Sequence, residues 1–185
     1  RRNHLYEEGM KPTVVALARP ADRPAPAVLS GGVDCITLPD TRWAFCQVKT
    51  TGLLPNIMAR RQAHEAGAKD AIFIRDGFIS EASASNVFCA FDGVVYTYPL
   101  ANILPGITRG FAIGLLREMG IEVREEAVTL QQFRRADEIW MTGTVQEAAA
   151  VVNLDGKPVG DGRPGPITRR LQEAFDRLVP TADQR

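Results

Sequence analysis

Asp-Gly pairs punctuate the chain at 76–77, 92–93 and 155–156. Both residues of such a pair tolerate a positive φ, which the tight turns between antiparallel strands require. Ala71-Ile72-Phe73-Ile74 precedes the first pair and Phe78-Ile79 follows it. Asn86 to Phe91 and Val94 to Tyr98 flank the second, and the run Ala148 to Leu154 turns at the third. The spacing predicts hairpins. Helical patterns lie among them. Ile107 to Met119 carries Phe111, Leu115 and Met119 at i, i+4, i+8, with Ala112 and Leu116 beside them and Gly120 as a stop. Hairpins mixed with helices predict an α+β fold rather than a doubly wound parallel sheet.

The remaining elements are read the same way. Pro55 to Gly67 is predicted helical, with Ile57, Ala59, Ala63 and Ala66 on one face. Leu130 to Ala136 is a short helix, and Ile167, Leu171, Phe175 and Leu178 mark a last amphipathic one. Val14–Ala18, Val33–Leu38, Arg42–Lys49, Glu122–Val128 and Glu138–Thr142 are strand candidates, and the Pro- and Gly-rich stretch 20–32 is a loop. There is no internal repeat and no G-x-G-x-x-G, so a nicotinamide fold is not expected.

At 185 residues the chain is long enough for one domain with a real core, or a domain plus part of another. Lys+Arg and Asp+Glu are 22 each, a balance that argues against a dedicated nucleic-acid or membrane-surface binder. No apolar run approaches the roughly 20 residues of a membrane helix. Cys35, Cys46 and Cys89 are scattered and odd in number, as expected of reduced, buried thiols in a cytoplasmic protein. His4 and His64 are far apart in sequence, so no metal site is expected, and His64 is read as structural or superficial. The opening Arg1-Arg2-Asn3-His4, with no initiator Met and no signal-peptide core, reads as a chain cut from something longer.

Four places carry residues suited to chemistry. Lys49 ends the run Trp43-Ala44-Phe45-Cys46-Gln47-Val48. A lysine at a strand end is most often simply solvated, but one desolvated among apolar neighbours becomes a usable amine nucleophile. Glu81 is a lone carboxylate in Ser80-Glu81-Ala82-Ser83-Ala84-Ser85-Asn86, where small residues let a flat ligand approach the backbone. The same segment also suits an ordinary serine-rich loop. Leu104-Pro105-Gly106-Ile107-Thr108-Arg109 opens the 107–119 helix, where free N–H groups favour a phosphate. Met141-Thr142-Gly143-Thr144 is a compact set of hydroxyl and N–H donors, and Thr-Gly-Thr is also common in plain turns.

In combination and order, these segments resemble the fold type IV pyridoxal-phosphate enzymes: D-amino acid aminotransferase, branched-chain aminotransferase and aminodeoxychorismate lyase. The matching motifs are the lysine followed by Leu53-Leu54, S-E-x-S-x-S-N-V-F with its glutamate 32 residues after that lysine, L-P-G-I-T-R and T-G-T. The resemblance implies pyridoxal 5'-phosphate as cofactor and Lys49 as the Schiff-base lysine that also moves the substrate proton. It implies Glu81 at the pyridinium nitrogen, Ile107, Thr108, Gly143 and Thr144 at the phosphate, and Leu104 against the ring. It further implies amino acid and 2-oxo acid substrates and a homodimer. Arg2 and His4, two apart and so on one face of a strand, match the R-x-H with which the D-amino acid branch grips the substrate α-carboxylate. Trp43 and Cys46 also resemble that branch.

The resulting expectation is transamination between a D-amino acid and a 2-oxo acid. A branched-chain aminotransferase, an aminodeoxychorismate lyase and a non-catalytic cofactor-binding or dimerising fragment are the alternatives. The family's small N-terminal domain, which supplies an arginine to the phosphate, is expected to be largely missing. Residues 1–30 would be its end and the interdomain linker, and 31–185 the large cofactor domain. Whether Arg42 braces the site or only caps a strand is open.

Overall fold

A computed structural model describes residues 4–5, 8–20 and 22–178. The elements are α1 (Pro26–Gly31), β1 (Val33–Pro39), α2 (Leu54–Glu65), β2 (Asp70–Arg75), β3 (Phe78–Ala82), β4 (Asn86–Phe91), β5 (Val94–Thr97) and α3 (Ile107–Glu118). Then follow β6 (Val123–Arg124), β7 (Val128–Thr129), α4 (Leu130–Phe133), β8 (Glu138–Gly143), β9 (Glu147–Leu154), β10 (Lys157–Pro158) and α5 (Pro166–Leu178). The Asp-Gly pairs at 76–77, 92–93 and 155–156 turn as expected. Asp76, Asp92 and Asp155 have φ of 52°, 48° and 52°, and the glycines that follow are also positive.

The strands run β6-β5-β4-β8-β9-β1-β2-β3-β7, with β10 on β9. A further pairing of β3 with β4 closes six of them into a ring. Most neighbours are antiparallel, but β1 is parallel to both β2 and β9, the first of these joined by α2 as a crossover.

Alternation along the strands decides what faces where. Val87, Cys89, Ile139, Met141, Ile72 and Val151 point into the ring and share one core with Phe133 and Leu154. Their neighbours Phe88, Ala90, Trp140 and Ala148 point outward, where α3 and α5 cover them with Leu116, Leu171 and Phe175. Phe88 and Trp140 stack there, centroids 5.4 Å apart. Ala71 and Phe73 point outward beneath α2, against Ala59 and Ala63. The three cysteines are buried and free.

Within the expected loop 20–32, Pro26–Gly31 turn as the short helix α1, and other expectations fail for physical reasons too. Val14–Ala18 forms no strand. Val14 and Leu17 are 84% and 94% exposed, and among the described residues no strand edge pairs with them. Arg42–Lys49 is irregular instead of a third strand. Trp43, Phe45 and Val48 are all about half exposed, and the Val48 N–H closes a turn on the Phe45 carbonyl at 3.0 Å. Glu122–Val128 splits into β6 and β7, at opposite ends of the sheet order. In α3 the expected Ala112, Leu115 and Leu116 are buried, joined by Arg109 and Ile113, but Phe111 is 43% exposed and reaches Phe175 edge-on. In α2 and α5 the expected faces are only partly buried: Ile57 and Leu178 are exposed.

Candidate active site

The site is built at the seam where the ring closes. β2 and β3 pair through Ile72 with Ala82 and Ile74 with Ile79, so two steps on β2 oppose three on β3. The extra residue is a β-bulge. It lets Ile79 and Ala82 both face the inner core, while Ser80 and Glu81 between them meet Asp40 and Arg42. Glu81 then makes the single rung to Asn86 that joins β3 to β4.

Glu81 is 4% exposed and fully engaged. Arg42 donates to its Oε1 at 2.5 Å, Asn86 Nδ2 to Oε2 at 3.1 Å, and the Leu104 N–H to both oxygens at 3.3 and 3.2 Å. Burial pushes this carboxyl above its ordinary value, and Arg42 and the Leu104 amide pull it only partly back. Arg42 lies over the Phe73 ring, 4.4 Å from its centroid, and also grips Asp40 through Nε and Nη2 at 2.9 and 2.8 Å. Arg75 adds a second cation on Asp40 at 2.9 Å. Burial pushes Asp40 up, but the two guanidinium groups outweigh it and hold the carboxyl below the usual range. Arg42 thus braces the site, the point its sequence position left open.

The helix segment is fastened to the same seam. Asn86 donates to the Leu104 carbonyl at 2.9 Å. Gly106, the N-cap of α3, packs so closely on the Asn86 side chain that a Cβ there would collide with Oδ1. No side chain caps α3, whose first residues, exposed Ile107 and half-buried Thr108, keep the unbonded N–H groups of a helix start. Asn86 is paired with Thr142 on β8, and the next residue, Gly143, lies beside Ser85. Thr144 is exposed at the tip of the β8–β9 hairpin. Ser85 Oγ and Thr142 Oγ1 are buried and without a partner among the described residues. Two orphaned hydroxyls beside an uncapped helix start fit an anionic group that accepts hydrogen bonds.

Lys49 does not sit in an apolar pocket. It is exposed, because the loop that carries it leaves its apolar side chains in solvent. That loop is tied to the Glu81 segment at both ends, by Arg42 to Glu81 and by Asn56 Nδ2 to the Ser83 carbonyl at 2.8 Å. His4 is exposed, and Arg2 lies outside the described residues. His64 is exposed on α2. Asn86 and Asn56 were given no role by sequence reasoning. Asn86 closes the quoted serine motif, but only the fold shows that it joins three segments.

A barrel-like sheet with a buried carboxylate at its seam, a helix start beside it and a lysine loop across it is the architecture of a fold type IV aminotransferase. The chain belongs to the amino-transferase class IV family, whose model matches residues 2–154. It is 40% identical to the D-alanine aminotransferase of Bacillus licheniformis over 96% of its own length and 63% of that protein's. It is 39% identical to that of Staphylococcus aureus (strain MSSA476), covering 96% and 64%. The chain therefore spans under two thirds of the curated relatives it matches. Among solved structures, the Escherichia coli branched-chain amino acid aminotransferase superposes with TM-score 0.78 at 35% identity, over 85% of this chain and 54% of that one. The branched-chain amino acid aminotransferase of Thermoproteus uzoniensis with norvaline also gives 0.78, at 29% identity over 88% and 55%.

Proposed function

We propose that the chain forms the cofactor-binding part of a pyridoxal 5'-phosphate-dependent transaminase that moves the amino group between a D-amino acid and a 2-oxo acid. The observation that carries this reading is the buried Glu81 carboxylate at the ring seam, joined by Leu104 and Asn86 to the start of α3. When bound, the cofactor ring supplies an electron sink for the bond from the substrate Cα to hydrogen. Glu81 would hold the ring nitrogen protonated, and Arg42 favours its charged form against the effect of burial. Lys49 would supply the anchoring amine and, once freed from it, would take and return the proton at the substrate Cα. The exposure of Lys49 fits a residue whose surroundings are completed only when ligand is present.

The N–H groups of Ile107 and Thr108, the Thr108 hydroxyl and the Gly143-Thr144 turn hold the phosphate, and Leu104 packs against the ring. Arg2 and His4 grip the substrate carboxylate. Residues 1–30 serve as the end of a small domain and linker, 31–185 as the large domain, and the working unit is a homodimer. The D-alanine aminotransferases at 40% and 39% identity favour a D-amino acid. The branched-chain enzymes at TM-scores up to 0.78 support a second reading, a branched-chain amino acid substrate.

The test is a visible spectrum of the full-length protein, repeated after D-alanine and then L-leucine. A cofactor band bleached by D-alanine is expected. Lys49→Ala should lose that band after desalting and lose turnover by roughly 10³-fold or more, with the melting temperature of the cofactor-free protein unchanged because Lys49 is exposed. Bleaching by L-leucine alone would transfer the substrate to the branched-chain class. No band with added cofactor would refute the enzyme reading.

A further inference from the structure

Past its last ladder rung, from Gly143 to Glu147, the hairpin tip that carries Thr144 has little packing of its own. Val145 is 66% exposed and Thr144 is exposed too, so apolar packing does not fix the tip. Beyond the ladder rung that pairs Gly143 with Glu147, the turn carries a backbone bond from the Gln146 N–H to the Gly143 carbonyl at 3.1 Å. The chain re-enters β9 through Glu147, which has φ of 50°, a left-handed conformation that a glutamate seldom adopts unaided.

What holds the Glu147 carboxylate comes from far away in sequence. Arg23, on the segment before α1, meets its carboxylate as a two-pronged fork: Nε to Oε1 and Nη2 to Oε2, both 2.7 Å. The same Nη2 donates to Asp176 on α5 at 2.7 Å. Glu147 is 7% exposed, so its charge is matched chiefly by this guanidinium rather than by water. The planar fork fixes the carboxylate in orientation as well as in distance, which a lysine could not do.

We propose that Arg23 is a positioning residue for the phosphate of the cofactor: by clamping Glu147 it fixes the hairpin whose Gly143-Thr144 donors face that phosphate. The claim rests on the reading of Gly143-Thr144 as phosphate ligands. It also places control of phosphate affinity in the segment that precedes the large domain, so any movement of that segment is transmitted to the turn.

A strut that merely ties the segment to α5 would behave differently. Its loss would weaken every ligand alike or lower the melting temperature alone. The test therefore compares pyridoxal 5'-phosphate with pyridoxal, which lacks the phosphate. Equilibrium binding of both to the full-length protein is followed by quenching of intrinsic fluorescence. The wild type should prefer the phosphorylated form. Arg23→Ala should cut that preference on the order of tenfold, about the worth of one charge-assisted hydrogen bond, while binding of pyridoxal holds. Glu147→Gln, which keeps the side chain's shape, should shift the ratio the same way, and it decides the matter if Arg23→Ala fails to fold. Asp176→Asn, which spares the Arg23–Glu147 fork, should leave the ratio near that of the wild type. An unchanged ratio in Arg23→Ala or in Glu147→Gln overturns the clamp while leaving the transaminase reading standing. A wild type with no preference for the phosphate overturns both.

Discussion

Asp155 fastens three parts of the molecule with one carboxylate. Its Oδ1 accepts from the Thr37 N–H at 2.7 Å, and its Oδ2 from the Thr37 hydroxyl at 2.8 Å and from Arg134 at 2.9 Å. Burial pushes this carboxyl up, but the Thr37 amide, Arg134 and the Thr37 hydroxyl outweigh it and hold it below its ordinary value. A depressed folded-state pKa stabilises the fold above the ordinary aspartate value of roughly 4, and the gain disappears as pH falls through the folded value. Asp155→Asn should therefore cost about 1–2 kcal/mol at neutral pH, and its deficit relative to the wild type should shrink below pH ~4. Urea midpoints measured across that window check the sign. At this scale the sequence disclosed chemistry better than partnership. Lys49 and Glu81 could be singled out because their neighbours form a motif. The bond from Arg42 to Glu81 was not, since nothing local says that residues 39 apart meet.

Elements were legible where their boundaries are local. The Asp-Gly hairpins carry their own turn chemistry, so they appear where expected. The run 42–49 has strand composition but no edge to pair with, and a strand without a partner is only an extended loop. The face of α3 was misjudged because Arg109 is buried by bonding to the Tyr98 carbonyl and to Glu125, both at 2.9 Å, which moves the covered stripe away from Phe111. Helix α5 shows how one element is finished by another. Glu138 on β8 accepts from the Ile167 and Thr168 N–H groups at 2.9 Å and from the Thr168 hydroxyl at 2.8 Å. The first turn of α5 holds no acidic residue of its own. Glu138→Ala should thus destabilise by about 2–3 kcal/mol, seen as a lower denaturant midpoint at unchanged slope.

For the whole molecule, the α+β class followed from mixing hairpins with helices, but closure of the sheet did not. Closure needs the bulge at Ser80-Glu81 and the rung from Glu81 to Asn86, and neither leaves a mark in composition or periodicity. Like a bracelet, the ring is only as strong as its clasp, and here the clasp is one rung plus the Ala82 N–H on the Ser85 carbonyl at 2.8 Å. A ligand seated on Glu81 would press on that clasp from outside. Native-state hydrogen exchange should report it: adding cofactor should slow the Ala82 amide by about tenfold or more, while amides in the middle of β8 and β9, away from the Gly143-Thr144 turn, change little. An Ala82 amide indifferent to cofactor would separate the clasp from the ligand. If it responds, keeping the cofactor and keeping the barrel shut are one property, and a cell short of the vitamin would hold a population of this protein that breathes at a single joint.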